Sequence, residues 1–103
     1  MAQFDVYLNS NPDTRKNIPF LLDVQTELLD MLSTRVVVPL VLAEEMQPAR
    51  NLNPQFKIKN IAVVMSTAEL AGVQNRALGE KVTSLKNKRD EIIAALDLLF
   101  TGI

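Results

Sequence analysis

Leu85-Lys-Asn-Lys-Arg-Asp-Glu-Ile-Ile-Ala-Ala-Leu-Asp-Leu-Leu-Phe-Thr-Gly-Ile103 closes the chain, and its reading decides what the remainder must be. Leu85, Ile92, Leu96 and Leu99 recur at helical spacing on one face, and Ile93 and Phe100 widen it. Ala94 and Ala95 favour helix at its centre. Thr83 or Ser84 is placed to cap the start with its hydroxyl. Lys86, Lys88 and Arg89 fall in the expected first turn, where the helix dipole disfavours cations. Burying Ile92, Ile93, Leu96 and Leu99 is worth ~1.5–3 kcal/mol each, so the preceding chain must present an apolar floor. Beyond Phe100 the pattern ends in Thr101-Gly-Ile103. Either Ile103 tucks into the core as a last anchor, or the glycine presents an apolar tip to a partner. Both hold if that partner is a second copy of the chain.

The floor reads as β-structure. Thr34-Arg-Val-Val-Val-Pro-Leu40 is a strand, because three successive valines disfavour helix and suit a buried sheet. Pro39 cannot donate to a ladder and marks an edge or a bulge. Phe56–Ile58 and Ile61–Met65 form a hairpin about Lys59-Asn60, since Asn tolerates positive φ. Gln3–Leu8 alternates Phe4, Val6 and Leu8 inward with Gln3, Asp5 and Tyr7 outward. Asn9–Asn17 is a loop carrying Arg15 and Lys16, either a solvated segment or a contact for an acidic peptide. Residues 18–33 are ambiguous: Leu22, Gln25, Leu29 and Leu32 suit a helical face, whereas Phe20, Leu22 and Val24 suit a strand ending near Gln25. Ala43–Met46 suits a short helical turn, and Gln47–Pro54 is a loop. Thr67–Gly72 reads as a connection, Val73–Leu78 as a further strand, and Gly79-Glu-Lys as the turn into the helix.

The 103 residues predict one domain, residues 1–103. Residues 1–50 hold seven acids and four bases and residues 51–103 five and seven, giving −3 and +2; the net charge of −1 provides no basic field for nucleic acid. The sequence has no Cys and no His. Disulfide and thiolate chemistry, the commonest general base and the commonest metal ligand are therefore missing. No basic, apolar leader opens the chain and no apolar run approaches a membrane span, so a soluble cytoplasmic protein is expected. Asp23, Glu27 and Asp30 read as a solvated face rather than a metal site, and neither metal nor cofactor is expected. A His-free phosphodiester cleavage would fall to Arg35, Arg50 or Arg76, each of which reads more simply as a surface charge. The residues alone describe a small, mainly β binding protein with a terminal helix.

The order of Gln3-Phe-Asp-Val-Tyr7, Asp23-Val-Gln25, Leu28-Leu-Asp30, Arg35-Val-Val-Val-Pro-Leu40, Gly79-Glu-Lys-Val82 and Asp97-Leu-Leu-Phe-Thr-Gly-Ile103 resembles the CcdB family of toxins, which poison DNA gyrase. The resemblance spans nearly the whole chain. It implies an SH3-like antiparallel barrel with a small extra sheet and a C-terminal helix, the CcdB/MazF-like fold, and a homodimer. It also implies a strand through Gln25 followed by a short excursion bearing Leu28 and Leu29.

As to function, the resemblance implies the toxin of a type II toxin–antitoxin system. Such a toxin binds the gyrase A subunit and traps the cleaved gyrase–DNA complex without covalent chemistry of its own, so it is not an enzyme and needs no direct contact with nucleic acid. The family's essential tail falls on Thr101, Gly102 and Ile103, with Phe100 behind it; Leu28, Leu29 and Asp97 fall where further gyrase contacts are made. Two positions depart from the usual pattern, which has Trp where Thr101 stands and Asn where Asp97 stands. A cognate antitoxin with a disordered tail is implied as second partner, lying over Asn9–Lys16 and Ala43–Asn51, with Arg15, Lys16 and Arg50 meeting its acids. The alternatives are a MazF-like endoribonuclease of the same fold and a non-toxic relative that only binds antitoxin.

Overall fold

A computed structural model describes residues 1–102. Seven strands lie among them: β1 (Asp5–Asn9), β2 (Phe20–Asp23), β3 (Thr34–Leu42), β4 (Gln55–Ile58), β5 (Ile61–Met65), β6 (Ala71–Gln74) and β7 (Leu78–Ser84), followed by helix α1 (Arg89–Thr101). All pair antiparallel in the order β4-β5-β3-β2-β1-β7, with β6 branching from β3. The sheet curls into a half-barrel, so that β4 and β7, its two ends, border one groove. Its concave face buries Val6, Leu22, Val38, Leu40, Val63 and Met65 completely, and α1 closes this core with Ile92 and Ala95.

β3 is the hub. Its first half pairs β6, from Thr34↔Gln74 to Val37↔Ala71, and its last residues pair β5, from Leu40↔Met65 to Leu42↔Val63. Pro39 sits in the gap between these two neighbours. Its carbonyl accepts the Ser66 N–H at 2.9 Å on that side, so its ring nitrogen faces the same gap, where no ladder bond is lost. Pro39 thus stands inside a central strand, at the point where the strand changes partners. At the β4–β5 turn, Lys59 and Asn60 both adopt positive φ (48° and 67°), as a two-residue type I′ hairpin requires.

Several expectations are revised. The ambiguous stretch forms β2 to Asp23 and then a single 3₁₀ turn at Glu27–Leu29, not a helix. In β1 the alternation fails: Leu8 is 41% exposed, whereas Asp5 and Tyr7 are buried. Phe4 lies before the strand with φ 72°, unusual for an aromatic residue. There its N–H donates to the Asp23 carbonyl and its carbonyl accepts the Leu85 N–H, tying β2 to the start of the helical segment. Val73–Leu78 is not one strand; β6 ends at Gln74, a 3₁₀ turn covers Asn75–Ala77, and Gly79-Glu-Lys lies inside β7. Gly79 read as a turn residue because it is a glycine, but here it permits close approach: a Cβ would meet the Leu8 carbonyl oxygen at 2.7 Å and the Leu8 Cβ at 3.0 Å.

The helix also begins later than its pattern suggests. Lys86–Lys88 form a 3₁₀ turn before it; Thr83 and Ser84 both belong to β7 and neither caps α1, although the Ser84 hydroxyl accepts the Lys86 N–H. The first α-helical turn therefore contains Asp90 and Glu91, which suit the positive end of the dipole. Ile93, Leu96 and Leu99 are half-buried, and Phe100 is not part of the packed face at all.

Two predictions follow from β1 and its partner β7. Gly79→Ala must push a methyl against the backbone of Leu8, and unfolding in urea is expected to show a loss of about 1–3 kcal/mol; a loss below about 0.5 kcal/mol would mean that the strands separate freely. Tyr7 is the chain's one tyrosine. Burial, and then the charges of Asp5 and Asp23, raise its phenol from the ordinary 10.0 to about 12. The unfolded chain then loses this proton first, so stability is present below pH 10.0 and declines as pH rises through about 12. Tyrosinate absorbance should rise near the higher value in the native protein and earlier in Asp5→Asn; an unshifted titration in the folded chain would contradict the buried pairing.

Candidate partner-binding surface

The residues singled out for binding occupy four places. Leu28 and Leu29 sit on the 3₁₀ turn after β2, 82% and 45% exposed, and Met31 (77%) and Leu32 (44%) continue the same apolar surface. Asp97, Phe100, Thr101 and Gly102 form the end of α1. Arg15 and Lys16 lie exposed in the β1–β2 loop, and Arg50 lies exposed before β4. Among the described residues no hydrogen bond or ion pair links these places to one another, and Arg15, Lys16 and Arg50 take part in none of the ion pairs. Ile103, the last residue of the expected tail, lies outside the described residues.

A buried clamp builds the first place. The Arg35 side chain is fully enclosed. Its Nε donates to Asp23 at 2.8 Å, one terminal nitrogen donates to Asp30 at 3.1 Å, and the other donates to the Gln25 carbonyl at 3.1 Å. Gln25 completes the frame. Its N–H donates to Asp23, its side-chain amide donates to the carbonyls of Leu29 and Thr34, and its side-chain oxygen accepts the Val36 N–H. Asp23 is buried at 0% exposure. Burial pushes its carboxyl above the ordinary 3.8, against the opposing pull of the Arg35 hydrogen bond and the Gln25 N–H. The Met1 ammonium lies 3.7 Å from Asp30. Asp23, Gln25 and Arg35 are thus turned inward beneath the turn, while Leu28 and Leu29 share its outer side with the exposed Glu27. Arg35 and Asp23 are therefore not the surface charges their types suggest, and Arg35 is engaged on all sides rather than open to a phosphodiester. The signal that could have found them is the polar pair at the ends of two apolar strands, where a charge must either face solvent or be matched.

The second place is shaped by its cap. Gly102 ends α1 in the left-handed conformation (φ 74°), and its N–H donates to the Leu98 carbonyl at 3.0 Å, a helix stop that favours glycine. The space around a Cβ there is open, so the demand on this residue is conformational. The Thr101 hydroxyl donates to the Asp97 carbonyl at 2.7 Å, which satisfies one of the helix's terminal carbonyls. Phe100 is 68% exposed, leaving a large apolar ring beside the helix end. The two readings of the tail turn on Ile103, which lies outside the described residues.

The third place is held from below. Asn9, buried at the end of β1, donates to the Thr14 hydroxyl and the Ile18 carbonyl and accepts the Asn11 N–H. That network ties residues 10–18 into a defined loop on which Arg15 and Lys16 are exposed. At the fourth place Asn53 does the same beside Arg50, accepting the Ala49 N–H and donating to the Met65 carbonyl. Among the described residues no cluster of three or more metal-ligating side chains is present, and no helix is long and apolar enough to cross a membrane.

Removing one partner of a buried ion pair leaves an unmatched charge and costs about 3–5 kcal/mol. Arg35→Met should therefore destabilise the fold by that amount and speed amide exchange at Leu28–Asp30. Arg35→Met with Asp23→Leu should recover most of the loss. A change below about 1 kcal/mol in the single variant would show that the pair does not hold the turn.

The element order, the buried clamp under an apolar turn and the exposed, glycine-capped helix end are accompanied by a match of residues 3–102 to the family model described as CcdB protein, and the chain belongs to the CcdB family of toxin–antitoxin toxins.

Proposed function

We propose that the chain poisons DNA gyrase: as a homodimer in the cytoplasm it binds the gyrase A subunit and holds the enzyme in its DNA-cleaved state. A cognate antitoxin with a disordered acidic tail neutralises it. The observation that carries this reading is Phe100, a large aromatic ring 68% exposed at a helix end in a chain of this family. A solvent-facing ring flanked by a left-handed glycine is a contact feature, since buried aromatic anchors dominate interface energies. Leu28 and Leu29 add apolar area on a preorganised turn, and Asp97 adds a charge. Thr101 offers far less contact area than an aromatic residue would. Arg15, Lys16 and Arg50 are exposed and suit the acids of the antitoxin, whose folding on the toxin would spend ordering entropy against a large contact area. The work assigned to the chain is binding, so it acts on gyrase without catalytic steps of its own.

The test is a gyrase cleavage assay with supercoiled DNA and ATP, quenched by denaturant and scored for linear DNA, beside a thermal melt of each variant. Deleting Gly102 and Ile103 should abolish linear product while changing stability by about 1 kcal/mol or less, as at sites outside the core. Phe100→Ala should weaken poisoning by roughly 30-fold or more, the scale of a central anchor. Thr101→Trp should hold or strengthen it. Linear DNA from the truncated protein at wild-type concentrations would sink the reading.

A further inference from the structure

The half-barrel leaves β4 and β7 as its two terminal strands, and both line the same groove with the segment leading into α1. Each therefore carries an edge with no strand neighbour, and the two edges face a common space. The type I′ turn and the register Ile58↔Ile61, Lys57↔Ala62, Phe56↔Val63 settle which backbone groups are involved. The pair flanking a two-residue turn is hydrogen-bonded and the pairs then alternate. Ile58 and Phe56 thus spend their N–H and C=O groups on β5, while Lys57 and Gln55 direct theirs into the groove.

We propose that this open seam docks an extended, acidic peptide segment of a partner protein, which pairs as an added strand along β4. Its floor is apolar, with Phe56, Ile58 and Leu85 only 7%, 2% and 7% exposed. Its rim is basic: Lys57, Lys59 and Lys88 line it, and none of its lining residues is Asp or Glu. Lys57 and Lys59 have no ion-pair partner among the described residues, and Lys88 reaches Glu91 only at 4.0 Å between exposed groups. A strand alternating acidic and apolar residues meets both features, because its successive side chains face opposite sides. Lysines on an edge repel basic strands and deter indiscriminate pairing, which makes the seam selective. Single-stranded nucleic acid is the poorer fit: Phe56, the one aromatic residue in the lining, is buried and offers no stacking face. Neither the helix end nor the Arg15–Lys16 loop contributes to the seam, so it stands apart from the gyrase reading.

The test uses the full chain, isotope-labelled, with a fluorescein-labelled peptide of alternating Glu and Val. A Lys–Val peptide and an oligouridylate serve as comparisons. Anisotropy should show saturable binding of the acidic peptide alone, weakened about tenfold by Lys57→Glu with Lys59→Glu. The Lys57 amide, and those of Val82–Ser84, should shift and become protected on binding. Lys57→Pro removes the outward N–H without touching the β4–β5 ladder and should lose binding that Lys57→Gln largely keeps. If Lys57→Pro fails to fold, the charge-reversal pair and the amide shifts decide. Equal binding of the basic peptide, preference for the oligouridylate, or protection of Lys57 that grows with protein concentration before peptide is added would each overturn the proposal, the last by showing a second copy in the seam.

Discussion

A guanidinium taken wholly out of water is tolerated only if its charge is matched and its donors are used, and Arg35 meets both conditions through Asp23, Asp30 and the Gln25 carbonyl. These partners come from the end of β2 and from the excursion that follows it, while Arg35 belongs to the start of β3. The pair therefore defines the path of the chain from one strand to the next. Once Asp23 and Arg35 have met, Gln25 can bridge the two strands, and the 3₁₀ turn has one way to close. Such a pair is a modest source of net stability compared with a well-packed apolar alternative. Its effect here is geometric: it holds the start of β3 against the end of β2 and ties Asp30, just beyond the turn, to the same guanidinium.

The same logic extends along β3. A nine-residue strand with two successive neighbours on one side must break its ladder once, and Pro39 stands at that break. From there β5 and β4 continue the sheet in one direction and β2, β1 and β7 in the other, until the curl brings the two ends to a common groove. The curl stops short of closure, and α1 covers the concave face. What remains outside is a protein whose polar chemistry is mostly spent on holding its own loops, with Asn9, Asn53 and Gln25 each buried beneath one of them.

The most exposed apolar side chains fall at two places, while Met1, Leu8 and Ile61 are exposed to a lesser degree elsewhere. Among the described residues, Leu28, Met31 and Phe100 are the large apolar side chains most open to solvent, and they sit on or beside the 3₁₀ turn and at the helix end. A contact surface of this kind loses little conformational freedom on binding, which suits a protein of a toxin family that acts on a partner. Exposed contiguous apolar area on a small chain carries the usual hazard of association, and the short edge strands with their lysines limit one route to it.

Local sequence determined the parts of this structure that depend on near neighbours. The valine run of β3, the Lys59-Asn60 hairpin and the helical spacing that places Ile92 on the buried face of α1 are legible because side-chain period and turn chemistry act over a few residues. The lack of His and Cys was equally plain, and the short excursion bearing Leu28 and Leu29 became legible through resemblance. Tertiary structure alone decided the rest. The position of Asp23 and Arg35 at the ends of two apolar strands is the one local hint that they are buried, and it decides nothing alone, because each is acceptable inside only when the other arrives from another strand. Gly79 looks like a turn residue until Leu8 approaches it from a distant part of the chain. Leu8 is exposed and Tyr7 buried against the alternation of β1, whose pairing with β7 shifts register between Val6 and Tyr7 and again between Tyr7 and Asn9. Periodicity records what a residue prefers, whereas the meeting of distant charges and backbones decides which preferences are met.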